Sequence, residues 1–302
     1  MATLQDYLNQ VRAIVHDTNA ANFTDSTLTS FINQARVRVA QDFHCVRNFL
    51  SVTGGSALNT IGQQENYYYS GTVGGITVTS GGANYSENTT VTLTGGAGAG
   101  ATASPVIIDG VITAINMTNW GQGYGAAPTV VITDSTGTGA AAIATPLVNI
   151  LDILSVTVIW GSTRIIFEYV PFTAFQTFMR QWTQQYSVPS VFTLIPQLSQ
   201  MFLFQIPDQV YTMEWDVISL PDPLVNPGDI DAQVIAPWND GVQFFAAHLC
   251  MASLGNLGMA DYWYDGRGNG KYDRRVVQLP ARAFVRRIYN PTATYLKMIR
   301  RL

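Results

Sequence analysis

Histidine is the side chain most often recruited for proton transfer or metal binding at neutral pH. This 302-residue chain has three, His16, His44 and His248. Their spacing fits no metal-ligand pattern, and no Cys-x-x-Cys pair supplies thiolates. They read as structural side chains, with His44 and His248 facing a helical core. No Gly-x-Ser-x-Gly elbow, Walker loop or His-Glu-x-x-His stretch occurs, so the usual frames for nucleophilic, nucleotide and zinc-hydrolytic chemistry are missing. The GRGNG run at residues 266–270 has the glycines of a phosphate loop, but no Lys-Ser/Thr pair follows and no strand precedes it. It reads as a hinge. Glu87, Asp109 and Asp134 are scattered and read as solvated loop acids rather than acid/base partners or calcium ligands. The expectation is a protein that is not an enzyme, with no catalytic residue, cofactor or metal.

Two groups of residues are suited to binding rather than reaction. Aromatic faces stack on the C–H groups of sugars, and Tyr85, Trp120 and Tyr124, with the triplet Tyr67-Tyr68-Tyr69, offer such faces; the competing reading is core or inter-subunit packing. The second group is the end of the chain. Residues 265–302 hold ten of the sixteen basic residues against two acids, a charge of +8, while the rest of the chain carries −12. Arg274, Arg275, Arg282, Arg286, Arg287, Arg300 and Arg301 can dock on carboxylates of a partner protein or on DNA phosphates, or stand in solvent. The interleaved apolar residues, among them Val276, Leu279, Phe284 and Ile288, argue against a merely solvated tail.

These groups need elements to position them. Leu4, Tyr7, Leu8, Val11, Ile14 and Val15 recur at helical spacing over residues 4–15, with Thr3 and Asp6 forming a capping box. A second helix starts at Thr24 and is expected to run to Arg47, with Phe23 and Leu28 as a hydrophobic staple. It buries Leu28, Phe31, Ile32, Ala35, Val39 and Phe43 and leaves Asn33, Gln34, Arg36 and Gln41 on the opposite face. The intervening HDTNAANF is a turn, which makes an αα-hairpin. Further on, a hairpin is expected over residues 151–169. A helix opens at Pro171, strands lie near residues 191–195, 201–205 and 210–220, and a long helix follows Pro237. No apolar run approaches the roughly 18 residues of a membrane span. Cys45 and Cys250 read as buried thiols rather than a disulfide. Only 12 % of residues are charged, which points to surface covered by other subunits or to one made soluble by Ser, Thr, Asn and Gln.

Residues 71–146 differ from what flanks them. They hold fifteen of the 26 glycines and no Lys or Arg. Short Val/Ile/Thr runs alternate with glycine turns, the signature of an all-β unit. The stretch repeats itself: ITVTSGGANYSENTTVTLT from Ile76 matches INMTNWGQGYGAAPTVVIT from Ile115, at an offset of 39 residues. Two copies are too few for a solenoid and suggest a pseudo-symmetric sandwich or barrel. The expected fold class is α+β: a helical bundle packed with antiparallel hairpins, carrying an inserted, sandwich-like all-β domain. The expected division is 1–70 with 147–260 as a discontinuous core, 71–146 as the insertion, and 261–302 as a basic arm.

The opening stretches TLQDYLNQVRAIVHDTN and NFTDSTLTSFINQARVRVAQD, with Asn33, Ala35, Arg36, Arg38, Val39 and Ala40 in an N-x-A-R-x-R-V-A run, resemble head-to-tail adaptor (connector, neck) proteins of tailed bacteriophages. The resemblance covers about residues 3–69 and 148–254. The 121–132 stretch also resembles glycine-rich repeats of phage tail and decoration proteins. The resemblance implies a homo-oligomeric ring, usually a dodecamer, beneath the portal protein in the virion neck, assembled in the host cytoplasm. Such a ring lengthens the DNA channel and carries tail or nozzle proteins. The seven arginines named above would dock on the portal, and DNA would pass through without sequence-specific binding, helped by an acidic wall. No membrane contact is implied. The rival expectation is a tail fibre or spike that binds a receptor or glycan through the β insertion, with Tyr85, Trp120 and Tyr124 as contacts.

Overall fold

A computed structural model describes residues 1–51, 58–147, 149–180, 185–264 and 271–272. Along the chain the first elements are α1 (Leu4–Val15), α2 (Asp25–Phe43), β1 (Arg47–Leu50), β2 (Leu58–Asn59) and β3 (Asn66–Tyr68). Six longer strands follow: β4 (Thr72–Ala83), β5 (Thr90–Thr94), β6 (Ala99–Ile108), β7 (Val111–Gln122), β8 (Thr129–Thr133) and β9 (Thr138–Leu147). Then come β10 (Ile150–Trp160), β11 (Thr163–Ile166), β12 (Glu168–Tyr169), α3 (Phe172–Phe178), β13 (Tyr186–Ser187), β14 (Val191–Ile195), β15 (Gln200–Phe204), β16 (Ile206–Pro207) and β17 (Thr212–Ser219). The last two elements are α4 (Asp240–Ser253) and α5 (Leu257–Trp263). The fold is mixed α+β. Two compact units form, one from residues 1–46 with the described residues after 219, the other from the described residues of 47–219.

In the first unit the helices start and stop where local chemistry dictates. Thr3 Oγ1 accepts from the Asp6 N–H at 3.2 Å while the Asp6 carboxylate accepts from the Thr3 N–H at 2.8 Å, so the capping box is closed. Thr24 caps α2 through its side chain alone, accepting from the Thr27 N–H. His16 and His44 end α1 and α2 in the left-handed conformation, at φ 56° and 52°. Two of the three histidines are thus helix C-caps, and α2 stops at Phe43, short of Arg47. Asp17 organises the turn between them. Its carboxylate accepts from the backbone N–H groups of Ala21, Asn22 and Phe23 and from Arg12. Leu8, Val11, Leu28, Ile32, Val39, Val242, Ala246 and Cys250 share one apolar core, which joins α1, α2 and α4.

The second unit contains the repeat. Strands β4, β5 and β6 return 39 residues later as β7, β8 and β9. All six form a single antiparallel sheet in the order β8-β5-β6-β7-β4-β9, and β8 and β9, its two ends, lie against each other. The sheet is therefore nearly closed on itself, not a sandwich of two stacked sheets. The reason lies in how the copies interlock. β4 pairs with β7 where Ile76 meets Ile115, and β5 pairs with β8 where Thr92 meets Val131. Both are equivalent positions of the two copies, so a pseudo-two-fold axis crosses the sheet there. Each copy lends strands to the other's ladder instead of building a sheet of its own.

β1, β17, β10 and β11 make a second antiparallel sheet in that order, with β2 also on β17. The expected 151–169 hairpin is broken at its end: β11 stops at Ile166, and β12 leaves to pair in parallel with β14. β14, β15 and β3 complete that third sheet. One apolar core runs through the unit, including Leu58, Tyr67, Val73, Ile115, Trp120, Val156, Met213 and Trp215. This continuity is why residues 47–70 and 147–219 cluster with the barrel rather than with the helices, a division different from the expected one.

Candidate functional site

The three aromatic residues named as glycan contacts are core residues. Tyr85, Trp120 and Tyr124 are all buried. Tyr85 and Tyr124 occupy equivalent places in the two repeats. A Cβ on Gly137 would lie 2.3 Å from the Tyr85 ring, and one on Gly98 would lie 2.4 Å from the Tyr124 ring. Each tyrosine thus lies flat on a glycine that cannot carry a side chain. Trp120 breaks the symmetry, because its equivalent is Gly81. Its ring sits 4.9 Å from that of Tyr67 and 5.9 Å from that of Trp215. A single large residue in one copy ties one end of the barrel to the rest of the unit. The faces of Tyr85 and Tyr124 are spent on packing, and Trp120, only 3 % exposed, is among the residues lining one adjacent cleft.

Next to Trp120 lies an open cleft of about 710 Å³ between the 61–68 stretch and the ends of β6 and β7. Its lining includes the amides Gln63, Gln64, Asn66, Asn119 and Gln122, and Tyr68, which is 43 % exposed. The charge of Glu65 there is held by Arg180 at 2.8 and 3.1 Å. The cleft is polar without net charge, which suits a neutral hydroxyl-rich ligand better than an ion.

The scattered acids do not converge. Asp134 is bound into its own turn: it accepts from the Ser86 and Thr89 hydroxyls and from the Ser86, Thr136 and Gly137 N–H groups. The Ser86 hydroxyl bond and the other donors hold its carboxyl well below the usual range. Among the described residues no three His, Cys, Asp or Glu side chains gather as a metal site. Cys45 and Cys250 are free, and burial pushes both thiols up to about 12.

Arg36 is the residue that spacing misplaced. The α2 periodicity put it on the solvent face, yet it is only 1 % exposed. Its guanidinium grips both oxygens of Asp231 at 2.8 Å and also donates to the Asp222 carbonyl at 2.6 Å. Asp231 further accepts from Tyr7 Oη and from the Gln233 and Val234 N–H groups. Burial and the neighbouring Asp231 charge push the Tyr7 hydroxyl above its usual range. Asn33, one turn earlier, brackets Leu224 by donating to its carbonyl and accepting from its N–H, both at 2.9 Å. The Asn and Arg of the N-x-A-R run thus seat the proline-rich 221–234 segment on α2, and Ala35 is fully buried between them in sequence. No local signal reveals the pair, since Arg36 and Asp231 are 195 residues apart. Arg38 pairs instead with Asp42 and Tyr264.

The seven arginines assigned to docking, Arg274, Arg275, Arg282, Arg286, Arg287, Arg300 and Arg301, lie outside the described residues, as does the 266–270 glycine run. No helix among the described residues is long and apolar enough to cross a membrane. No protein-family model matches this chain, and no curated protein matches it.

Proposed function

We propose that this chain is a non-enzymatic virion protein, a head-to-tail adaptor that forms a ring below the portal. In this reading the helices act as the bundle of the adaptor core. The ring extends the DNA channel and offers the platform for tail or nozzle proteins. The observation that carries the proposal is the use made of the resemblance-bearing residues. Asn33 and Arg36, two of the three polar members of the run, are consumed in seating the 221–234 segment, and the third, Arg38, pairs with Asp42 and Tyr264, so the motif is architectural. The charge split agrees: a −12 body lets DNA pass without adhering, and a +8 end favours an acidic partner surface. The test is native mass spectrometry of the protein alone and with portal rings. Stoichiometric loading that is lost on truncation before Asp265 supports the proposal; failure to load refutes it.

The neutral, amide-lined cleft beside Tyr68 favours a second reading, a glycan-binding tail component. Glycan-array binding abolished by Tyr68→Ala would establish it. Trp120→Ala is unsuitable for that test, because Trp120 is core.

A further inference from the structure

We infer that the β1-β17-β10-β11 sheet is continued by a second copy of this chain, with β11 of one protomer pairing antiparallel with β1 of the next. This rests on the ring assembly proposed above and names the contact that builds it. Among the described residues no strand pairs with the far side of either β1 or β11. Each is four residues long. The strands alternate in direction across the sheet, so β1 and β11 run oppositely. A neighbour in the same orientation therefore meets β11 with an antiparallel β1 and keeps the alternation going.

Isolated edges are normally guarded by unpaired charges, most often lysine. Here the guard is withdrawn. Arg164 on β11 is drawn onto Glu214 at 2.9 and 3.3 Å, and Arg47 on β1 is drawn onto Asp216. Both carboxylates belong to β17, the interior of the same sheet. Both arginines stay partly exposed but neutralised, and beside them the edges present apolar side chains: Phe49 on β1 is 61 % exposed and Ile166 on β11 is 73 % exposed. The ladder registers place both on one face. Phe49 stands opposite Asp216, and Ile166 stands opposite Thr157, which stands opposite Glu214. In a continued sheet Phe49 and Ile166 lie on the same face, where an aromatic and a β-branched residue make a favourable cross-strand combination. Because two different edges meet, the contact is head-to-tail and generates a ring when its rotation closes.

The decisive variant is Ile166→Pro. The Phe167 N–H donates to the Val156 carbonyl at 2.8 Å, so by alternation the Ile166 N–H points away from β10. Proline there leaves the β10–β11 ladder intact and removes only an outward donor. Wild type and variant are compared by native mass spectrometry, alone and with portal rings, with circular dichroism as the folding control. The expected result is multimeric or portal-loaded wild type and a monomeric variant. A second pair guards against misfolding: Phe49→Glu and Ile166→Lys each lose assembly alone and recover it when mixed. A variant that assembles as wild type does overturns the edge contact and leaves the ring reading standing. Wild type that halts at a dimer points to a symmetric β11–β11 contact and overturns the head-to-tail arrangement. Wild type that neither self-associates nor loads overturns both.

Discussion

Arg36→Met tests the seating of the 221–234 segment most directly. The substitution keeps volume and removes four donated bonds: two to Asp231, one to the Asp222 carbonyl and one to Asn33 Oδ1. Breaking a buried ion pair from one side costs about 3–5 kcal/mol, because the remaining charge is left uncompensated. Asp231 keeps three donors, Tyr7 Oη and the Gln233 and Val234 N–H groups, which places the cost at the lower end, about 3 kcal/mol. That is a large share of the roughly 5–15 kcal/mol that holds a typical domain folded. Hydrogen exchange reports it locally. The Leu4 and Gln5 N–H groups donate to the Asp229 and Pro227 carbonyls, and the Leu224 N–H donates to Asn33. If these amides open with the segment, 3 kcal/mol lowers their protection by roughly two orders of magnitude. Adding Asp231→Asn should recover part of the loss, since a neutral amide oxygen still accepts the backbone bonds without a buried charge. A cost below about 1 kcal/mol, or no recovery in the double variant, would refute the reasoning.

Other outcomes follow from the β unit and the thiols. Asp134 has a folded-state pKa below its unfolded value. Its contribution is therefore present above about pH 4 and is lost as pH falls toward the folded value. The melting-temperature gap between wild type and Asp134→Asn should narrow on acidification, and a gap independent of pH would contradict this. Trp120→Ala should destabilise by about 3–5 kcal/mol in urea titration. Trp120→Phe should cost much less, because the indole N–H has no partner among the described residues to lose. Gly137→Ala should lower the melting temperature sharply, since its Cβ would meet the Tyr85 ring; a neutral effect would show that the ring moves aside. Cys250, buried and with its thiol raised to about 12, should react with maleimide only on unfolding, while the half-buried Cys45 labels first; fast labelling of Cys250 in native protein would contradict its burial.

What the chain declares in its sequence is what short-range physics controls. The capping box at Thr3 and Asp6, the staple at Phe23 and Leu28 and the apolar stripes of α1 and α2 act over one or two turns, so their residues sufficed to place them. The 39-residue repeat announced an all-β unit with two equivalent halves, because glycines at equivalent turns recur with it. What tertiary structure decided were the pairings. The two repeats interlock into one nearly closed sheet, because strand exchange between copies depends on registers that no single copy encodes. Trp120 became an anchor rather than a binding platform only once Tyr67 and Trp215 were brought beside it. Arg36 looked like a surface residue because helical periodicity counts charge as polar. A carboxylate 195 residues away, in a segment without a periodic signal, made burying it favourable. Edges β1 and β11 belong to the same class: that their arginines are drawn inward by Asp216 and Glu214 is a fact of strand order, which local sequence does not record.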